Sequence, residues 1–286
     1  MKTTELFKEK TVLSYEVFPP KSTAPIRTIY DTLYELKELS PDFISVTYGA
    51  GGGKNSSETF KIAAAVKKDY GIESVAHLAC IGLKKNDVKS KLIELKEAGI
   101  ENILALRGDI PNDAFEKGDF CHASDLISFI KENGDFNIIA ACYPEGHIES
   151  PSRLDDLRNL KIKVDAGAGH LISQLFFQNE LFYSFVERCR IADIDVPIEA
   201  GIMPVTNKKQ IERMTSLCGA SLPQKFITMM ERYENNPIAM RDAGIAYAIN
   251  QIVDLIAHGV DGIHLYTMNN PYIAKKIYEA VHTLIV

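Results

Sequence analysis

Several short apolar runs end in side chains that could move a proton or hold an anion. Glu16 sits inside LSYEVFPPKS, where a carboxyl can serve as a general acid or base. Thr47 and Tyr48 close FISVTY, His77 lies within ESVAHLAC, and Arg107, Gly108 and Asp109 follow NILAL. Tyr143 ends NIIAACY with Glu145 and His147 just beyond, Gln174 follows HLIS, and Tyr266 and Thr267 end GIHLYT. Arginine grips phosphate or carboxylate, and an aspartate can steady a cation that develops during reaction. A carboxylate within an apolar strand is costly unless it is used or paired. Each residue also has a bland role: Glu16 could pair with an interior cation, His77 could be a hydrogen-bonded core histidine, and Asp109 could cap a turn. Gln174 could satisfy a backbone group, and Tyr143 and Tyr266 could pack. The convergence of these residues at run ends is therefore more informative than any one of them.

These run ends must be positioned by a repeated unit. Apolar strands are expected near Leu13, Phe43, Glu73, Asn102, Asn137, His170, Val196 and Gly262, most about 30 residues apart. They are apolar on both parities, as strands covered on both faces should be. Helical stripes lie between them. Ile26, Ile29, Leu33 and Leu36 form one, ended by Ser40-Pro41. Val88, Leu92 and Leu95 form another, with Asn86 as its N-cap and Gly99 as its stop. Ile245, Ile249, Ile252 and Ile256 form a third, stopped by Gly259. The long gap before Gly262 predicts two further helices, near 207–218 and 222–233. Eight strands alternating with helices predict an α/β (β/α)8 TIM barrel, whose chemistry sits at the C-terminal strand ends. A doubly wound sheet would usually display GxGxxG, and neither glycine cluster, Gly49 to Gly53 or Gly167 with Gly169, fits it or GxxxxGK.

The 286 residues are 46% apolar and 24% charged, with a net charge of −6, which argues against a nucleic-acid binder. No apolar run is long enough to cross a membrane, and MKTTELFKEKTV lacks a signal-peptide core. Cys80, Cys121, Cys142, Cys189 and Cys218 form no CxxC pair and read as reduced thiols of a cytoplasmic protein. HExxH and GxSxG are absent, so neither a metal site nor a serine nucleophile is expected. By themselves the residues reach a barrel enzyme with a carboxylate-rich mouth.

SYEVFPPKS, VTYGAGGG, AHLAC, ALRGD, ACYPEGHIES, NLKIKVDAGAGHLISQLFF, AGIMPVTN and HLYTMNN, in that order, resemble the successive motifs of the methylenetetrahydrofolate reductase family. The resemblance covers nearly the whole chain and implies one FAD-binding (β/α)8 catalytic domain over residues 1–286, without the regulatory domain of eukaryotic members. It implies that NADH or NADPH reduces FAD, and that 5,10-methylenetetrahydrofolate is then reduced to 5-methyltetrahydrofolate on the same flavin face. Glu16 matches the general acid that opens the folate ring to an iminium; a free glutamic acid titrates near 4.3, so burial must raise it. Asp109 matches an aspartate near flavin and pterin, and Gln174 a glutamine that contacts both substrates in turn. Thr47, Tyr48, Ala50, His77, Arg107, Gly108, Asp109, Tyr143, His147, Asp156, Asn159 and Lys163 match FAD-binding positions, with Arg107, Lys163 and His147 toward the pyrophosphate. Gln210 and Tyr266 match folate-side positions.

Four positions depart from the family pattern: Asn270 for an arginine, Met214 for an aromatic residue, Ile162 for a basic residue, and His122 for a tyrosine. Met214 and Asn270 leave open a separate iron–sulfur partner subunit as electron donor, since this chain has no cysteine cluster of its own. A proline dehydrogenase-like flavin barrel and a catalytically dead assembly subunit are the other readings. A homo-oligomer is also left open.

Overall fold

The computed structural model describes residues 1–20, 23–48, 56–109 and 118–285. Eight parallel strands close into a barrel in chain order: β1 (Val12–Val17), β2 (Phe43–Val46), β3 (Glu73–Ala79), β4 (Asn102–Leu106), β5 (Asn137–Cys142), β6 (His170–Ser173), β7 (Ile198–Ile202) and β8 (Gly262–Tyr266). The helices between them are α1 (Arg27–Lys37), α2 (Ser56–Lys68), α3 (Lys85–Glu97), α4 (Ala123–Asn133), α5 (Arg153–Asp165) and α6 (Asn179–Ile191). Then come α7 (Lys208–Cys218), α8 (Gln224–Tyr233), α9 (Pro237–Ala257) and α10 (Pro271–Val281). The expected TIM barrel is borne out, including the two extra helices before α9. Among the described residues no helix is long and apolar enough to cross a membrane.

The two parities of each strand explain the continuous apolar runs. One parity, such as Tyr15, Val17, Ile44, Val46, Ala76 and Leu78, joins the large core between the barrel and its helices. The other gives a small inner cluster of Val12, Phe43, Val75, Leu104, Ile139 and Ile172. α1 shows the helix side of this packing. Ile29, Leu33 and Leu36 fall on one face and are fully buried, each contributing roughly 1.5–3 kcal/mol. The chain then turns at Ser40, whose φ is +46°.

Caps set several of the helix starts that frame the barrel mouth. The side chains of Ser152, Asn207, Asn236 and Asn270 accept the amides of Asp155, Gln210, Ala239 and Ile273, and Pro237 and Pro271 occupy first-turn positions. α3 corrects one expectation. Its cap is Lys84, not Asn86, and the Asp87 carboxylate reaches back to the Lys84 amide at 2.8 Å. Asn86 lies inside the first turn, because the carboxylate of Asp87 is the better acceptor for the free amide.

The lower end of the barrel is closed by a short 3-10 helix, Thr3–Lys8, whose Leu6 and Phe7 pack on the inner cluster. Asn102 and Asn137, at the starts of β4 and β5, tie it down. Asn102 Oδ1 accepts from the Thr3 amide at 2.9 Å and from Asn137 Nδ2 at 3.0 Å, and Asn137 Nδ2 also donates to Thr3 Oγ at 2.8 Å. The upper end is left for the strand-end side chains.

Candidate active site

A column of polar side chains rises through the barrel interior. It begins at His170 on β6, whose Nε2 is 3.6 Å from Glu199 Oε2 on β7. Ser14 Oγ on β1 lies 2.7 Å from Glu199 Oε1 and 2.6 Å from His264 Nδ1 on β8. The other ring nitrogen, His264 Nε2, is 3.5 Å from Glu16 Oε2, and His77 Nε2 on β3 is 3.6 Å from the same oxygen. Glu16 tops the column with its side chain 18% exposed, while Ser14, Glu199, His170 and His264 are fully buried. Burial dominates the electrostatics. It pushes His77 down to about 4 and His170 down to about 3, so both rings are neutral, and it pushes the Glu199 carboxyl up to about 7.

The β1–β8 junction aims Glu16. Strand register sets it opposite Tyr266 and Ser45. The Glu16 carbonyl accepts the Thr267 hydroxyl at 2.6 Å. Asn269 clamps the next residue but one, accepting from the Phe18 amide at 3.0 Å and donating to its carbonyl at 2.8 Å. Met268 and Asn269 both have φ of +53°, a left-handed conformation that side chains rarely adopt and that these bonds hold. Tyr266 points inward, its hydroxyl donating to the Ser173 carbonyl at 2.8 Å. Gly201 makes that possible, since a Cβ there would lie 2.9 Å from the tyrosine hydroxyl and 2.2 Å from the Ser173 carbonyl.

The remaining expected residues line the rim. Thr47 follows β2, its amide on Val17 and its carbonyl accepting Thr59 Oγ at 2.9 Å. Tyr48 comes next, and its buried hydroxyl has no hydrogen-bond partner among the described residues. Arg107 forms a fork with Glu149 at 2.5 and 2.7 Å, beside Gly108 (φ +90°) and the exposed Asp109. Tyr143 and His147 stack edge to face with centroids 4.6 Å apart, and burial pushes the Tyr143 phenol up to about 12. On α5, the buried Asp156 accepts from Ser150 Oγ at 3.1 Å, and Asn159 is exposed. Lys163 donates to the Ala141 carbonyl at 2.6 Å and lies 5.8 Å from the Tyr143 ring centre, its ammonium pushed down by burial. Ala50 lies outside the described residues.

Gln174 sits at the end of β6 with its Oε1 accepting from the Leu175 amide at 2.8 Å. Gln210 opens α7 and lines a shallow cavity with Met203, Val205, Ile211, Met214 and Met268. Two further points refine the sequence reading. Lys163 in this structure spends its ammonium on the backbone of β5, because the α5 position directs it under Tyr143. Asn270 is the N-cap of α10. Sequence reasoning passed over Ser14, His170, Glu199 and His264, although the rule that singled out Glu16, a carboxylate inside an apolar strand, applies equally to Glu199 in VPIEAGIMP.

Comparison with known proteins gives a family match. The family model described as methylenetetrahydrofolate reductase matches residues 2–282. The chain is 38% identical to "5,10-methylenetetrahydrofolate reductase" of Pectobacterium carotovorum subsp. carotovorum, covering 95% of this chain and 89% of that protein. It is 35% identical to "Methylenetetrahydrofolate reductase (NADH) 1" of Arabidopsis thaliana, covering 91% of this chain and 46% of that protein. A Clostridium thermocellum protein solved with two copies of 5-methyl-5,6,7,8-tetrahydrofolic acid shares the fold at a TM-score of 0.70 and 14% identity, over 99% of this chain and 98% of that one.

Proposed function

The chain belongs to the methylenetetrahydrofolate reductase family, and on that premise we propose that it reduces 5,10-methylenetetrahydrofolate to 5-methyltetrahydrofolate, using FAD and NADH or NADPH in alternating half-reactions. The barrel is the catalytic unit. The observation that carries this reading is Glu16, a carboxyl at the barrel mouth held between two imidazoles and bonded through its backbone to the β8 end.

The rim residues fit a flavin dinucleotide. The buried, unpartnered hydroxyl of Tyr48 and Nε2 of His77 ask for a ligand's polar atoms. Arg107 would hold the pyrophosphate, Lys163 would support Tyr143 from below while bonded to the Ala141 carbonyl, Asp156 and Asn159 would take the ribose and adenine side, and Tyr143 with His147 one wall. Thr47, Gly108 and Asp109 would border the ring. When bound, FAD supplies the hydride carrier between the two substrates.

The protein's own part is proton chemistry and positioning. The bridging methylene of the folate is poorly electrophilic until its five-membered ring opens. Glu16 gives its proton to the departing ring nitrogen, the carbon–nitrogen bond breaks, and a cationic iminium results. Asp109 steadies that cation electrostatically. Gln174, Gln210 and Tyr266 orient the folate above Glu16, and Gln174 meets each substrate in turn.

The test is an absorption spectrum of the purified protein, followed anaerobically. Visible flavin bands, bleached by NADH or NADPH and restored by methylenetetrahydrofolate, are expected. A colourless protein that cannot take up FAD would overturn the reading. A flavin that resists NADH and NADPH but is reoxidised by the folate after dithionite would favour a separate iron–sulfur donor, a reading that Met214 and Asn270 leave open.

A further inference from the structure

The Glu199 carboxyl makes little use of its hydrogen-bonding capacity inside the barrel. Its only hydrogen-bond partner among the described residues is Ser14, and its Oε2 is buried with none. Room for it is made deliberately: a Cβ on Gly262 would lie 2.8 Å from Glu199 Cγ. Below it the titratable group in contact is His170, 3.6 Å away, and Phe7 and Phe43 close on that ring with centres 4.9 and 6.2 Å away, so the path ends there. Its exchangeable proton has one route, upward through Ser14 and His264 to Glu16.

That route has two hydrogen-bond directions. In one, the Glu199 carboxyl donates to Ser14 Oγ, Ser14 donates to His264 Nδ1, and His264 Nε2–H faces an ionised Glu16. In the other, every proton has moved one place: Glu16 is the neutral acid facing a bare His264 Nε2, Nδ1–H donates to Ser14, and Ser14 donates to an ionised Glu199. Both directions hold the same number of protons. Three O–H or N–H bonds break and three form, and no electrons are exchanged.

We propose, resting on the function proposed above, that Glu199, Ser14 and His264 are a proton store beneath Glu16, holding its proton while the mouth is open and returning it when the folate ring is to be opened. Glu16 is the solvent-facing group of the column, its side chain 18% exposed, and it needs a proton at the moment the folate ring opens. The store solves that problem without burying Glu16. Refilling runs in reverse, from solvent through Glu16, once product leaves. The remaining gap, 3.5 Å between His264 Nε2 and Glu16 Oε2, closes with a side-chain shift of about 0.5 Å, the kind of tightening that substrate produces. The charged and titratable groups around Glu199 agree. His170 on β6 is neutral and cannot pair it as an ion; His264 on β8 and the Ser14 hydroxyl on β1 favour its ionised form. Asp42 and Asp261, just before β2 and β8, disfavour that form, and burial outweighs all of them. Raised to about 7, the Glu199 carboxyl can hold a proton near neutrality. Glu199, Ser14 and His264 are thus positioning residues, acting through Glu16.

Glu199→Gln keeps the shape and the acceptor for Ser14 but cannot store a proton. With FAD bound, stopped-flow measurement of each half-reaction against pH is the test. In the variant the folate half-reaction should fall at least about tenfold at pH 7 and converge with wild type in acid, where solvent protonates Glu16 directly. Reduction by NAD(P)H should stay within about twofold. Ser14→Ala should reproduce the loss, and the double variant should add nothing. Infrared spectroscopy gives a readout free of activity: wild type at pH 7 should show the carbonyl band of a protonated carboxyl that Glu199→Gln lacks. Equal loss in both half-reactions, a loss that acid does not rescue, an unchanged folate half-reaction, or no such band would overturn the store. A wild-type flavin that never responds to folate would instead overturn the proposed function, and the infrared band would still decide where the proton rests.

Discussion

The floor of the barrel and the column above it are both buried and both polar, yet they are built on opposite terms. On the floor, Asn102 and Asn137 place every side-chain oxygen and nitrogen on a partner: Thr3, Thr4, Glu73, Ser74, the Met1 carbonyl and one another. In the column, both ring nitrogens of His170, Nε2 of His77 and His264, and Oε2 of Glu199 are buried without a hydrogen bond. A satisfied buried group holds a fold together; an unsatisfied one costs about 1–3 kcal/mol. The floor spends its polar atoms on fixed bonds to backbone and amides, whereas the column strings titratable groups together, Glu199 through Ser14 to His264, and leaves their remaining atoms open.

The sharpest way to test the contrast is to remove the top of the column. Glu16→Gln should slow the folate half-reaction by a factor of about 100 or more while sparing flavin reduction by NAD(P)H and leaving thermal stability intact; equal loss in both half-reactions would remove the acid assignment. The floor should respond in the opposite way. Asn102→Ala strands the buried Thr3 amide and takes the side-chain donor from the Ser74 carbonyl, so denaturant unfolding should show a loss of about 3 kcal/mol with unchanged half-reaction rates at 25 °C. A rate effect without a stability effect would break the comparison.

Acid should reveal the column through stability. The folded His77 and His170 titrate near 4 and 3, below their unfolded value of about 6.5, so as pH falls from 6.5 toward 4 the unfolded chain takes up protons that the folded chain refuses. Each histidine then costs about 1.4 kcal/mol per pH unit. Glu199, raised to about 7, holds a proton in the folded state that the unfolded chain releases above about 4.5, so it favours the folded state as pH falls and cancels one of the two slopes. Glu199→Gln should therefore roughly double the acid-side slope, read by unfolding at pH 5 and 6; an unchanged slope would put the Glu199 proton elsewhere. The smallest effect is expected at the rim. Asp109→Asn should raise the flavin potential and slow the folate half-reaction a few-fold, checked by redox titration. An unmoved potential would set Asp109 apart from the ring.

The barrel was legible because each strand is apolar on both parities and each helix, as in Ile29, Leu33 and Leu36, keeps one face apolar. Glu16 and Tyr266 were legible as polar residues at the ends of such runs. The rest of the column was not, because its contacts join distant parts of the chain: Ser14 meets Glu199 and His264, which lie 185 and 250 positions away. No local spacing encodes that meeting; only the closure of the ring does. Lys163 shows the same limit in reverse. Its residue type suits a phosphate, but its height on α5 gives it a carbonyl of β5 within reach.

Closure of the ring also has a consequence for how the molecule is made. Glu16 belongs to the barrel's first strand in chain order, whereas His264, Tyr266, Thr267 and Asn269, which support it, lie on or just after its last. Throughout synthesis the acid is exposed without the neighbours that define it. A message truncated anywhere before residue 262 would yield at most seven strands with two raw edges and no working mouth. Closure of the barrel and completion of the site are one event, so a chain lacking β8 lacks the support of Glu16.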